Sequence, residues 1–264
     1  MTAFLQLVAR IQSPILALIG YIPGFVRFRV SADRLLELQE GEIEPQVKQE
    51  RLNRIAELRI KDLSFRYEDK WVLQQLNLSL KVGESTAIIG PSGKGKTTLI
   101  RLLLSLLKAE KGDITLVDQD GERSLAAKHR INFAYIPQGN SLYSGTIRET
   151  LLLHVKEDGP LDIEKALWLA CAEFVFDFPD GVDTVVGESG MGLSEGQAQR
   201  IAIARALMHD GDIWLFDEVT SALDRTTSDT LTQRLLEYGK HKICLFVTHD
   251  LNLADKCQHR IYLD

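Results

Sequence analysis

The sequence predicts an α/β fold built around a mixed, largely parallel sheet. Three observations carry that prediction. Residues 85–100, STAIIGPSGKGKTTLI, read as an apolar strand (Ala87–Ile89), a glycine-rich turn, and a helix whose Leu99, Leu102, Leu103 and Leu106 share one face. Two near-continuous apolar runs, Ile213–Phe216 and Ile243–Val247, come late in the chain and alternate with helical sequence, as strands covered on both faces do. Earlier, Leu58–Tyr67 and Leu76–Val82 alternate apolar and polar residues, which predicts an antiparallel β subdomain with one exposed face.

Taken in order, the first thirty residues contain no acidic side chain and carry only Arg10, Arg27 and Arg29 as charges. Their longest uncharged run, Ile11–Val26, is interrupted by Pro14, Gly20, Pro23 and Gly24, and is shorter than the ~20 residues that span a bilayer as a helix. A secretory signal peptide is not expected, because a basic start and a small-residue cleavage site are both missing. The stretch reads as an amphipathic helix lying on a membrane or a partner, or as the last part of a transmembrane helix that begins outside this chain. Ser31–Glu40 is helical by composition, with Gly41 as its stop. Residues 1–40 are therefore expected to form one helical unit, and 41–54, polar and containing Pro45, a linker to a domain spanning 55–264.

Within that domain, Asp113–Val117 predicts a strand, with Asp118-Gln119-Asp120-Gly121 as a hairpin turn. Asp118-x-x-Gly121 also fits a D-x-x-G pattern of GTP-binding proteins, but no N-K-x-D guanine motif accompanies it. Asn132–Ile136 predicts a strand closed by Pro137, and residues 146–176 are mainly helical, the start of a helical subdomain of about 140–210.

The chain has 264 residues, 45% of them hydrophobic, enough for one sizeable core or two small ones. Its net charge of −6 argues against a nucleic-acid partner. Cys171, Cys244 and Cys257 lack metal-type spacing, and their odd number reads as reduced thiols.

The turn at residues 90–97 has the form G-x-x-x-x-G-K-[ST] in the strand–loop–helix setting that gives the pattern meaning. Glycines let the backbone wrap a phosphate chain so that successive N–H groups face anionic oxygens. The helix that follows adds its positive N-terminal dipole. Lys96 supplies a charge for β- and γ-phosphates, and Thr97 a hydroxyl for Mg²⁺. In parallel α/β sheets ligands gather at the carboxyl ends of strands. Polar residues stand at those ends here: Asp217 and Glu218 after Phe216, Thr248 and His249 after Val247, and Gln138 after Ile136 and Pro137.

These residues together resemble the nucleotide-binding domain of ATP-binding cassette (ABC) transporters, over roughly Ile55–Asp264. Gly90-Pro91-Ser92-Gly93-Lys94-Gly95-Lys96-Thr97, followed by Thr98, is similar to the family's Walker A, and Ile213–Glu218 to its Walker B. Leu193-Ser194-Glu195-Gly196-Gln197 resembles the signature motif, and Ser221-Ala222-Leu223-Asp224 the D-loop. Gln138 resembles the Q-loop glutamine and His249 the H-loop histidine. Tyr67 stands where the family stacks adenine on an aromatic ring, with Trp71 a rival for that role. Gly187–Gly190 resembles the X-loop of the exporter subclass, and residues 1–40 the end of an exporter's transmembrane domain with its cytoplasmic extension. Two positions depart from the pattern: Glu195 replaces the usual glycine, and Lys94 stands where serine is frequent.

The resemblance implies a P-loop NTPase that binds ATP and Mg²⁺ and hydrolyses ATP. Glu218 is the implied general base, with His249 and Gln138 beside it, and Thr97, Asp217 and Gln138 hold the metal directly or through water. It implies that Ser194 meets ATP bound to a second ABC ATPase domain, identical or different, in a head-to-tail dimer. The other implied partner is an exporter's transmembrane domain, at the cytoplasmic face of a membrane. Ser194 and Gln197 also form an S-x-x-Q capping box, which makes a helix N-terminus and is compatible with that role. A non-transport ATPase acting on DNA or ribosomes and a module that binds ATP without turnover are the alternatives. The apolar N-terminus and acidic charge oppose the first, and the presence of Glu218 and His249 the second.

Overall fold

Strand pairing in the computed structural model follows the two kinds of apolar pattern. The structure describes residues 19–36, 47–91, 93–139, 142–153, 162–187, 192–209 and 211–263. The chain divides into two compact units between Gln46 and Val47. In the first, residues 19–36 form helix α1, which continues through Pro23 and Gly24. It exposes Ile19, Ile22, Phe25 and Val26 and carries an Arg29–Asp33 pair one turn apart at 3.8 Å. Residues 37–41, where Ser31–Glu40 was expected to end, lie outside the described residues. Among the described residues no helix is long and apolar enough to cross a membrane.

In the second unit the alternating segments form β1 (Glu57–Tyr67) and β2 (Lys70–Lys81), paired antiparallel. β4 (Lys111–Asp118) joins the other side of β1, and β5 (Gly121–Ser124) closes a hairpin on β4 with Asp118 opposite Gly121. Asp118-x-x-Gly121 is thus a turn at a sheet edge. The continuous apolar runs form a second sheet, in which β3 (Ser85–Ile89), β6 (Phe133–Ile136), β9 (Ile213–Asp217), β10 (Ile243–Thr248) and β11 (His259–Tyr262) all run parallel, in the order β11-β3-β10-β9-β6. Two short strands, β7 (Gly145–Thr146) and β8 (Val185–Val186), pair antiparallel apart from both sheets. β11 was not expected from the sequence; its burial pattern is mostly exposed, as at a sheet edge.

Alternate residues of the parallel strands serve two cores. Ala87, Ile89, Trp214, Phe216 and Phe246 pack with α3 (Ile147–Leu152), α4 (Ile163–Leu169), α5 (Glu195–Leu207), α6 (Arg225–Tyr238) and α7 (Leu251–Lys256). Ile88, Leu215, Leu245 and Val247 pack with α2 (Lys96–Leu103) and the antiparallel sheet through Leu99, Leu103, Leu58 and Leu63. The three cysteines are free and buried, and burial pushes the Cys244 thiol up to about 12.

Two local outcomes differ from the sequence reading. Helix α2 ends at Leu103, and Leu106 is exposed rather than on the buried face. The chain turns away at Ser105, whose φ is +51°, and the Arg130 guanidinium donates to the carbonyls of Leu104 and Ser105 at 2.5 and 2.6 Å, closing the helix end. Residues 47–55 pack as a strap within the second unit. Leu52 and Ile55 are buried, and Asn132 accepts from the Leu52 N–H at 2.9 Å while donating to the Glu50 carbonyl at 2.9 Å.

Candidate active site

Register explains why distant residues meet. Ile89 lies opposite Thr248, Asp217 opposite Val247, and Phe216 opposite Ile136, so four parallel strands end level with one another. The residues that follow them open onto one cavity of about 570 Å³.

The floor is the phosphate loop. Gly95 has φ +88°, and a Cβ there would sit 2.8 Å from Val72 Cγ1, so both conformation and space call for glycine. Lys96, only 9% exposed, donates from Nζ to the carbonyls of Gly90 and Pro91 at 2.5 and 3.1 Å, which folds its ammonium back across the loop. Gly90, Pro91, Gly93, Gly95, Thr97 and Thr98 also line the cavity. Lys94 is exposed and is not among the lining residues, while Ser92 lies outside the described residues.

One wall comes from the β1–β2 hairpin: Tyr67, Lys70 and Val72. Tyr67 is held edge-on to Phe65, ring centroids 4.9 Å apart, and remains 41% exposed. Trp71 does not line the cavity; the Arg66 guanidinium lies 5.3 Å from its ring centre. The geometry therefore favours Tyr67 over Trp71 as the aromatic face of the site.

Opposite stand the two carboxylates. Asp217, 3% exposed at the end of β9, has its pKa pushed up to about 6, first by burial and then by the charge of Glu218, with Lys96 opposing. The Tyr135 hydroxyl donates to it. Glu218 is 8% exposed with φ +53°, a left-handed conformation uncommon for a residue with a side chain. Its N–H donates to the Val247 carbonyl at 2.9 Å, and its Oε2 lies 2.5 Å from His249 Nδ1. Gln138 completes the lining.

The signature and D-loop residues lie outside this cavity. Ser194 is the N-cap of α5: its hydroxyl accepts from the Gln197 N–H at 3.2 Å, and the Gln197 amide accepts from the Ser194 N–H at 2.9 Å. Glu195 is exposed in the first turn, where a carboxylate favours the helix dipole, and Leu193 is half-buried. Asp224 caps α6 by accepting from the Thr227 N–H at 3.0 Å. Of the X-loop positions, only Gly187 is among the described residues. Sequence reasoning missed Lys70, Val72 and Tyr135. Tyr135 had a usable signal: it lies two residues before Pro137 on a strand whose end carries Gln138.

Comparison with known proteins agrees with this geometry. The ABC transporter family matches residues 73–221. An ATP-dependent lipid A-core flippase of Vibrio vulnificus (strain YJ016) is 33% identical over 259 residues, which cover 96% of this chain and 44% of the flippase. An ABC multidrug transporter of Trichophyton interdigitale (strain MR816) is 37% identical over 207 residues, 75% of this chain and 15% of that protein. Among solved structures, a bacterial Atm1-family ABC exporter with ATP bound superposes with a TM-score of 0.76 at 29% identity, covering 89% of this chain and 42% of the exporter. The chain spans less than half the length of these relatives. Phosphate loop, paired carboxylates, capped signature helix and sequence match together assign the chain to the ABC transporter family, whose ATP-binding domain it carries.

Proposed function

We propose that this chain hydrolyses ATP as the energy-supplying subunit of an exporter, with Glu218 as the general base. The observation that carries the reading is the meeting of a phosphate loop, a buried carboxylate pair and an imidazole on one cavity. Tyr67 offers its ring to adenine. Loop N–H groups and the N-terminus of α2 hold the phosphates, and Lys96 neutralises β- and γ-oxygens. A water attacks the γ-phosphorus, its proton passes to Glu218, and the bond to the bridging oxygen breaks to release ADP. His249, 2.5 Å from the Glu218 carboxylate and lining the same cavity, orients that carboxylate and would hold the γ-phosphate.

Thr97, Asp217 and Gln138 offer hydroxyl, carboxylate and amide oxygens on the same cavity, a donor set that suits Mg²⁺. Buried Asp217, whose ionisation is opposed by desolvation and by Glu218, gains from a nearby cation. When bound, Mg²⁺ would neutralise charge developing on the phosphate oxygens.

The capped N-terminus at Ser194 is exposed and outside the chain's own cavity, which supports a role toward ATP held by a second ABC ATPase domain. ATP would then join two domains head to tail. The flippase, multidrug and exporter relatives support coupling to a transmembrane domain at the cytoplasmic face of a membrane, and favour this over action on DNA or ribosomes. Glu218→Gln tests the reading. It keeps shape and hydrogen-bonding reach but cannot take the proton, so hydrolysis should fall roughly 10²–10⁴-fold while ATP binding persists. Size-exclusion chromatography should show an ATP-dependent dimer of that variant. Full hydrolysis by the variant would remove Glu218 from the mechanism, and a tightly ATP-bound monomer would remove the dimer.

A further inference from the structure

Gln199 lies on α5, five residues beyond the Ser194 cap, and is 1% exposed. Its Nε2 donates to the Glu218 carbonyl at 3.3 Å. The same carbonyl accepts from the Ser221 N–H at 3.2 Å, and the Glu218 N–H donates to the Val247 carbonyl. The backbone of Glu218 is thus held from α5, from β10 and from the turn leading into the D-loop. It needs such support, because a non-glycine residue keeps a left-handed conformation only where its surroundings over-determine it.

The other half of the Gln199 amide has no such use. Its Oε1 is buried and has no hydrogen-bond partner among the described residues. A buried amide satisfied at only one end is a poor choice for stability, and an apolar side chain of similar length would serve packing better. What glutamine adds here is one donor aimed at Glu218. A second observation shows that α5 bears directly on the same segment. A Cβ on Gly196 would lie 2.8 Å from the Ala222 carbonyl and 3.4 Å from Leu223, so the first turn of α5 rests against the D-loop backbone. Residues 196 and 199 are three apart and share a helix face. Arg200 ties the helix elsewhere, donating to the Cys171 carbonyl at 2.7 Å with its guanidinium 4.6 Å from the Phe174 ring centre.

We propose that Gln199 is a positioning residue for hydrolysis: its amide holds the Glu218 peptide in the left-handed turn that aims the carboxylate at His249 and the cavity, so the signature helix sets the geometry of the base. This rests on the reading of Glu218 as the base. Gln199 does not line the cavity and acts only through the Glu218 backbone.

The test is Gln199→Met in the full chain, which removes the donor and the unpartnered oxygen while keeping length and volume. Steady-state ATPase kinetics, ATP affinity by titration calorimetry and the melting temperature are measured for it, for Glu218→Gln and for the double variant. The expected result is a kcat lower by roughly 10- to 100-fold, as small misplacement of a catalytic group produces. KM and ATP affinity should stay near wild type, and the melting temperature should be unchanged or higher. In the Glu218→Gln background the methionine should add no further loss, because the two act as one unit. Wild-type kcat in Gln199→Met beside a dead Glu218→Gln overturns the positioning role alone. Full activity in Glu218→Gln overturns the base reading and the positioning role with it. A Gln199→Met protein that fails to fold, melts well below wild type or loses ATP affinity assigns the amide to stability and also overturns the proposal.

Discussion

Replacing Asn132 with alanine should release the strap that opens the second unit. Asn132 is 1% exposed and makes three hydrogen bonds from one side chain: it accepts from the Leu52 N–H at 2.9 Å and donates to the carbonyls of Glu50 and His129 at 2.9 and 2.8 Å. Alanine removes all three. Each such bond contributes about 1 kcal/mol net, and a buried N–H left without a partner costs about 1–3 kcal/mol. The strap can limit that cost by lifting into water, but doing so exposes Leu52, now 6% exposed, at about 1.5–3 kcal/mol. Either route gives a loss of about 2–4 kcal/mol. For a unit of this size each kcal/mol lowers the melting temperature by about 2–4 °C, so the expected drop is roughly 4–16 °C. Calorimetry measures it, and limited trypsin digestion locates it: Arg51 and Arg54 lie in the strap and should be cut faster. ATP affinity should change little, since the strap does not line the cavity. A loss under about 1 kcal/mol with unchanged cleavage at Arg51 and Arg54 would refute the idea that Asn132 clamps the strap.

Lys96→Ala removes the ammonium facing the phosphate loop and should weaken ATP binding by roughly 10- to 150-fold, the worth of a charged hydrogen bond, with hydrolysis at background; wild-type hydrolysis would refute the site. Glu195→Gly should cost about 1 kcal/mol of stability, because glycine is a poor helix former and the first turn loses its carboxylate, yet leave ATPase activity equal or modestly higher; a severe loss would reveal a positive role for the carboxylate. His129 gives a pH dependence. Its Nδ1 accepts from the Ala126 N–H at 3.2 Å, and burial, helped by Lys128 and Arg123 and opposed by Glu50, holds its pKa below the usual 6.5. Because the folded value is the lower one, this contribution to stability is complete above about pH 6.5 and is lost as pH falls through the folded value. Wild type should therefore lose more stability than His129→Gln between about pH 7.5 and about pH 5.5 in urea unfolding, and equal losses would count against the assignment.

Much of the site was legible in the sequence because its chemistry is local. A phosphate loop of the kind proposed for residues 90–97 works through its own backbone and the helix it begins, so the motif and the loop's geometry fall within one short segment. Glu218, His249 and Gln138 were legible at one remove, because each follows an apolar run and parallel strands that end level bring such residues together. The hairpin at Asp118–Gly121 and the Ser194 cap of α5 could likewise be read from turn and cap residues alone. The tertiary structure alone decided the rest. Which aromatic faces the cavity depends on the side of the hairpin that each ring occupies, and Tyr67 and Trp71 look alike in sequence. Residues 47–54 of the strap fall in the stretch 41–54 that reads as polar linker, because the strap's anchors, Asn132 and Asp212, lie far along the chain. Gln199 looks like one more polar residue on a helix until the fold sets its amide beside the Glu218 carbonyl, nineteen residues away. The physical reason is common to all three. Covalent neighbours and helix or strand periodicity are written along the chain, whereas a hydrogen bond between elements exists only after the cores have placed their backbones.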